Sequence, residues 1–273
     1  MRRFAAPTLC VCLAFVAAPA ATGAGVPSIV GGGSANAAGW RFTVPLKDRK
    51  LGFVCTAAVI SPTRVLTAAH CVKGARVRSL RILEGSAWVS GRRAGRVVRV
   101  SRVRIHPRYN PDKDGRDVAV LRLRRPTTAP PVALPTRGQA KAATRPGDLV
   151  RSAGWGARSA WGFRVAQRLK STKERVLTGR RCRRYYGKNG FLPHSMICAL
   201  GKPVGRFRGP FTYRSTSCSG DSGGPLIAQT PSGPRIVGVV SAGPIPCGGG
   251  PSIYSRVATS LGFIRKAARL TGP

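Results

Sequence analysis

The sequence predicts an all-β fold with a few helical turns, and three observations carry that expectation. Glycine and proline are plentiful, at 34 and 22 of 273 residues, which divides the chain into short segments joined by turns. Apolar runs are correspondingly short. In GRRAGRVVRVSRVRIHPR (91–108) basic residues alternate with valine and isoleucine, the period-2 pattern of a strand with one buried and one solvated face. Hydrophobic residues make up 42% of the chain, enough at this length for one sizeable core or two small ones, and too much for a disordered chain.

Taken in chain order, the first element is an export signal. Arg2 and Arg3 form an ordinary basic n-region, and LCVCLAFVAA (9–18) is an apolar stretch too short to span a bilayer, followed by small residues suited to signal peptidase. Residues 1–28 are expected to be this signal with a short pro-segment, leaving a secreted, extracellular protein with no transmembrane segment. DVAVLRL (117–123) turns apolar at once and reads as a strand that carries Asp117 inward. RPTTAPPVALPTRGQAKAATRPGD (125–148) reads as a linker. At the C-terminal end Val257, Leu261, Ile264 and Ala268 recur at helical spacing, and Arg265, Lys266 and Arg269 suit the negative end of a helix dipole.

Loss of Cys10 and Cys12 with the signal leaves Cys55, Cys71, Cys182, Cys198, Cys218 and Cys247. An even number in an oxidising compartment reads as disulfides, with the pairing left open by spacing. No C-x-x-C or C-x-x-H pair supports zinc. Glu84 is the sole acid of its loop and stands near Arg92 and Arg93, a poor setting for calcium. No metal or cofactor is expected.

Lys and Arg total 47 against 8 Asp and Glu, a formal charge of +39. The density peaks at 91–108 and in GRRCRRYYGK (179–188). With no nucleic-acid-binding signature beside it, this charge suggests nonspecific association with polyanions or anionic cell surfaces, not specific nucleic-acid recognition.

The chemistry concentrates in TSCSGDSGGP (216–225). Gly220, Asp221, Ser222, Gly223 and Gly224 satisfy the G-x-S-x-G nucleophile elbow, but that arrangement needs an acid and a histidine downstream. Every histidine and every acid precedes Ser222, so its base must lie upstream. A serine hydroxyl needs an imidazole to take its proton and a carboxylate to orient that imidazole. His70 lies in VLTAAHC, a small-residue segment pinned by Cys71, whereas His106 and His194 border prolines in ordinary extended or loop sequence. Asp112 and Asp114 lie in a polar turn and are expected to be solvated, whereas Asp117 is carried inward by its strand, where a histidine N–H can satisfy it. The order His70, Asp117, Ser222 follows.

At these residues the chain resembles the chymotrypsin and trypsin family of serine endopeptidases. The resemblance is carried by IVGG (29–32), VLTAAHC (65–71), DVAVLRL (117–123), SAGWG (152–156), CSGDSGGP (218–225) and GVVSAG (238–243). It implies two antiparallel six-stranded β-barrels and a C-terminal helix, with a peptidase domain over 29–273. The barrels would span about 29–135 and 148–257 and the helix about 258–270. It also implies a monomer that cleaves protein or peptide substrates through an acyl-enzyme, with His70, Asp117 and Ser222 catalytic and the N–H groups of Gly220 and Ser222 as the oxyanion hole. Thr216, Ser241, Ala242, Gly243 and Ser252 would bind substrate, and the amine of Ile29 would pair with Asp221 on activation. Disulfides would join Cys55 to Cys71, Cys182 to Cys198 and Cys218 to Cys247.

Four departures qualify the resemblance. Thr216 replaces the aspartate of basic-specific relatives, so apolar P1 residues are expected over lysine or arginine. Ala242 replaces a large aromatic wall residue, residues 199–216 form a longer loop, and Ser28 stands where a basic activation site is usual. The competing class is a cationic binding protein on a catalytically dead scaffold. The intact His70, Asp117, Ser222 set with Gly220 favours the enzyme.

Overall fold

The computed structural model describes residues 32–111, 115–157, 159, 161, 165–206 and 212–269. The signal segment, Ile29, Asp112 and Asp114 lie outside the described residues. A short strand, β1 (Gly33–Ser34), precedes a closed antiparallel barrel built from β2 (Thr43–Asp48), β3 (Gly52–Ser61), β4 (Arg64–Thr67), β5 (Leu80–Glu84), β6 (Arg96–Ile105) and β7 (Ala119–Leu123). Its strand order is β2-β3-β4-β7-β6-β5, closed by pairing of β5 with β2. The interior is mostly apolar, with Leu46, Ala57, Val59, Leu66, Ile82 and Leu121 all buried, although Arg64 and Glu84 are buried in this barrel too.

The arginine-rich strand β6 shows how this barrel tolerates its charge. Val98 and Val100 point inward, a register shift follows between Val100 and Arg102, and Val103 and Ile105 then take the half-buried positions. A bulge inserts one residue and changes the phase of alternation, which is why the inward valines are not evenly spaced. The adjacent pair Val97 and Val98 obliges one of them to face water, and Val97 does.

The connection between the barrels contains α1 (Arg137–Ala142), a helix the sequence reading passes over as linker. Thr136 accepts from Gln139 N–H while the Gln139 side chain accepts from Thr136 N–H, a capping box that satisfies two otherwise orphaned donors. The second barrel consists of β8 (Leu149–Gly154), β9 (Lys170–Val176), β10 (Met196–Gly201), β13 (Pro225–Thr230), β14 (Gly233–Ala242) and β15 (Ser252–Arg256). It closes through pairing of β8 with both β9 and β13, and β1 adds to the edge at β9. The basic segment 179–188 falls in a second unforeseen helical segment, α2 (Gly179–Gly190), capped by Thr178 and broken by a kink at Gly187, where φ is +76°. The long 199–216 loop rises as a hairpin of β11 (Pro203–Arg206) and β12 (Thr212–Arg214).

The chain ends in α3 (Val257–Arg269), whose Val257, Leu261, Ile264 and Ala267 join the core that also fills the first barrel. Each fully buried leucine or isoleucine there stabilises the docked helix by about 2 kcal/mol. Ala267 replaces Ala268 as the last inward residue, because the step from Ile264 is three positions. The ring of Phe263 lies 4.8 Å from that of His106, which makes His106 a packing residue. His194 is exposed. The fold is therefore two closed six-stranded antiparallel barrels with a C-terminal helix, the architecture implied by the resemblance.

Candidate active site

The segments that converge at the barrel junction are those whose residues the sequence singles out. His70 follows β4, in a stretch where Ala68 and Ala69 are buried and Cys71 is disulfide-bonded to Cys55 of β3. Asp117 stands just ahead of β7, with 5% of its surface exposed. The His70 N–H donates to Asp117 Oδ1 at 2.9 Å, and Nδ1 lies 2.6 Å from Oδ2. A carboxylate can only accept, so Nδ1 carries the proton, and in the neutral imidazole Nε2 is the nitrogen with the free lone pair. Ser241 Oγ donates to Oδ2 at 2.7 Å, and Asp117 N–H donates to Ser255 Oγ at 3.1 Å. The second barrel thus holds the acid of the first by two hydroxyls.

Ser222 sits on the turn before β13. Its carbonyl accepts from Thr56 N–H at 2.9 Å, and Thr56 Oγ1 donates to the carbonyl of Gly220 at 3.0 Å. Thr56 follows Cys55, so the Cys55–Cys71 disulfide and two hydrogen bonds tie the serine turn to the histidine loop. The Ser222 Oγ to His70 Nε2 hydrogen bond is not formed in this structure, and Nε2 lies 3.7 Å from Cys71 Sγ. Such contacts commonly tighten only when substrate is bound. Cys55, His70 and Cys71 place possible ligand atoms close together, but sulfurs joined in a disulfide are not the thiolates that a metal requires.

Gly220 adopts φ +96°, a left-handed conformation that favours glycine. The amides of Gly220 and Ser222 donate to no other described residue. Two free donors beside a serine hydroxyl can stabilise negative charge developing on a carbonyl oxygen. Asp221, between them, points the other way into the second barrel and is 1% exposed. It accepts from Gly156 N–H at 2.8 Å and Cys218 N–H at 2.9 Å. A Cβ on Gly154 or Gly156 would overlap its carboxylate, so SAGWG keeps its glycines to seat this acid. Burial pushes the Asp221 carboxyl up to about 7, against those two hydrogen bonds.

A cavity of about 110 Å³ adjoins Ser222, lined among others by Ser217, Val240, Ala242, Gly243, Ile245 and Cys247. Thr216 is fully buried behind it, its hydroxyl accepting from Gly248 N–H at 3.1 Å. Ser252 Oγ accepts from Ser217 N–H at 3.2 Å. The 199–216 hairpin is anchored to the same rim through Arg214 N–H and the carbonyl of Gly248, 3.0 Å apart. Ser241 supports Asp117 as described. Cys218 pairs with Cys247 in the cavity lining, and Cys182 of α2 pairs with Cys198 of β10. Each closed loop of this size stabilises the fold by about 3 kcal/mol in the chain-entropy view.

The reading of the sequence misses Thr56, Ser255 and the contact of Ser241 with Asp117. A threonine placed between Cys55 and an apolar run in CTAAV is a signal that a hydroxyl is buried there. Nothing local announces Ser255.

Comparison with known proteins agrees with this geometry. The Trypsin family profile matches residues 29–264. A trypsin of Saccharopolyspora erythraea is 32% identical over 231 residues, 84% of this chain and 93% of that protein. Trypsin alpha-4 of Lucilia cuprina is 32% identical over 248 residues, 88% of this chain and 87% of its own. Transmembrane protease serine 9 of Rattus norvegicus is 34% identical over 251 residues, 88% of this chain but 22% of that longer protein. Two closed barrels, a carboxylate-bound histidine beside a serine turn, and these matches have one reading: the chain belongs to the trypsin family and is a serine endopeptidase.

Proposed function

We propose that Ser222 is the nucleophile, His70 the general acid and base, and Asp117 the carboxylate that orients it. The observation that carries this is the double hydrogen bond from His70 to Asp117, which presents Nε2 as a base at the barrel junction. Ser222 Oγ attacks the scissile carbonyl as Nε2 takes its proton, and the Gly220 and Ser222 amides receive the oxyanion. The imidazolium then protonates the leaving amine, and water releases the acyl group by the reverse sequence. Labelling with a fluorophosphonate is expected to be stoichiometric and to vanish in Ser222→Ala. An unlabelled, correctly folded protein would instead be a cationic binding protein. Retention by Ser222→Ala of more than about a hundredth of kcat overturns the assignment.

The cavity is read as the primary specificity pocket, taking apolar P1 side chains. Its lining is neutral, and a cation buried there without a partner would cost several kcal/mol. Profiling a P1-varied library tests this, with a tenfold preference for Arg or Lys over every apolar residue as the contrary result.

The mature protein is read as secreted and activated by insertion of the Ile29 amine beside Asp221. Support comes from the signal-like N-terminus and from a buried carboxylate whose two described donors are neutral amides. Active enzyme is expected to begin at Ile29 on N-terminal sequencing, and active enzyme beginning at Gly25 contradicts the pairing. Among the described residues no helix is long and apolar enough to cross a membrane.

The surface charge is read as a reversible polyanion-binding face on a monomer. A groove of about 960 Å³ beside His70, lined by Arg49, Lys50, Lys73, Arg76, Arg78 and Arg81 among others, is one concave place that gathers it. Elution from heparin above physiological salt is expected, because bound phosphate or sulfate groups release counterions. Elution at or below that salt leaves the charge as solvated surface.

A further inference from the structure

Behind the pocket lies a carboxyl group that peptide hydrolysis does not use. Glu174 occupies an inward position of β9, between Thr172 and Val176, and is 1% exposed. Its Oε1 accepts from Ser152 Oγ at 2.7 Å and from Tyr254 OH at 2.6 Å. Among the described residues Oε2 has no hydrogen-bond partner. Tyr254 OH lies 3.0 Å from Ser217 Oγ, and Ser217 lines the pocket. Two hydrogen bonds therefore connect a buried acid to the wall of the cavity that receives P1.

We propose that Glu174 is a specificity-determining residue which, through Tyr254 and Ser217, sets how the primary pocket receives a P1 side chain ending in an amine. The proposal rests on the endopeptidase and pocket readings above. When Glu174 is ionised, Tyr254 must give its proton to the carboxylate. The phenol oxygen can then accept only from Ser217, so the serine turns its lone pairs, backed by a negative charge, toward the pocket. When Glu174 is protonated, the charge is gone and the donors can reverse, so that the Ser217 hydroxyl points its proton into the pocket. The first state suits an ammonium group and the second an apolar side chain.

The surroundings allow this exchange near neutrality. Burial raises the Glu174 carboxyl to about 7, the Tyr254 and Ser152 hydrogen bonds oppose it, and the charge of Asp221 adds to it. Tyr254 is itself pushed well above the usual phenol range by burial and by Glu174, so the phenol does not ionise along with the acid. Apolar side chains of this barrel include Val176 of β9, Ile197 and Ala199 of β10, Leu226 of β13 and Val240 of β14. Thr172 of β9 is buried as well, and Arg256 of β15, two residues beyond Tyr254, bonds to Thr144 Oγ1 and to the carbonyls of Pro193 and Met196.

The test uses two peptide substrates that differ only at P1, norleucine in one and ornithine in the other, a methyl against an ammonium at the same reach. The ornithine amine stays charged from about pH 5.5 to about pH 8.5. The ratio of their kcat/KM values cancels effects common to both substrates, including those of Asp221 on the oxyanion donors. The ornithine to norleucine ratio is expected to stay below one in acid and to rise at least about tenfold with pH. Glu174→Gln should remove the rise. Ser217→Ala, which leaves the acid and both its donors in place, should reduce it at least about threefold. A flat ratio in the natural protein, or an undiminished rise in either variant, overturns the proposal. Failure to cleave either substrate, with Ser222 unlabelled, overturns the endopeptidase reading and this one with it, whereas cleavage with a flat ratio overturns this one alone.

Discussion

Each barrel buries a glutamate, Glu84 in the first and Glu174 in the second, and both are 1% exposed. Burial acts on both in the same direction, and they end in opposite states. Glu84 accepts from Arg96 at 2.9 Å and Arg125 at 3.2 Å on one oxygen, and from the Thr127 hydroxyl and Thr128 N–H on the other. Those bonds outweigh burial and hold its carboxyl below the usual range. Among the described residues Glu174 accepts only from neutral hydroxyls, on one oxygen, and burial wins. Partners, not depth, decide whether a buried acid is a structural anion or a titrating group.

The largest expected effect comes from removing the anion of the first barrel. Glu84→Ala leaves Thr128 N–H and the Thr127 hydroxyl without their acceptor and Arg96 facing Arg125. Breaking a buried pair costs 3–5 kcal/mol, and because both guanidiniums are substantially exposed the expected loss is about 3 kcal/mol at about pH 7. The folded pKa is depressed, so this stability is present above the unfolded value of 4.5 and is lost as pH falls through the folded one. Urea unfolding of the two proteins should therefore converge in acid.

The second barrel should show the opposite slope. The Glu174 pKa rises from 4.5 to about 7 on folding, so between those values the folded state binds more protons than the unfolded one. Stability of the natural protein then falls as pH rises across that window, by about 3 kcal/mol. Glu174→Gln removes the titration, and its stability relative to the natural protein should climb over the same range. A slope of the same sign as that of Glu84 breaks the comparison, because it means Glu174 is already ionised in acid.

These two acids also mark how much was legible in the sequence. The catalytic trio could be read because the chemistry fixes residue type and chain order, and because VLTAAHC, DVAVLRL and CSGDSGGP are local. The barrel strands could be read from alternation, except where the β6 bulge shifts the phase after Val100. The capped helices α1 and α2 were missed because basic and small residues conceal their periodicity, although Thr136 and Thr178 signal their starts. Glu174 was invisible as a buried group. In KSTKERV it looks like one more surface charge, and its partner Tyr254 is 80 residues away. Only closure of the barrel brings the two together.

The smallest effects sharpen the comparison most, since they remove one hydroxyl from each acid and leave the carboxyl in place. Thr127→Val deletes a donor to an ionised carboxylate, a charge-assisted bond worth about 1.5 kcal/mol. Ser152→Ala deletes a donor to a carboxyl that is mostly neutral at about pH 5.5, where the loss should be only about 0.5 kcal/mol. As pH rises through 7 the Glu174 carboxyl ionises, and the cost of Ser152→Ala should grow toward that of Thr127→Val. The latter should not change over this range, because Glu84 is already charged. Denaturant titrations at about pH 5.5 and about pH 8.5 separate the two behaviours. Equal costs at the lower pH would place a full negative charge on Glu174 there, which would remove both the contrast between the barrels and the neutral state of the acid behind the pocket.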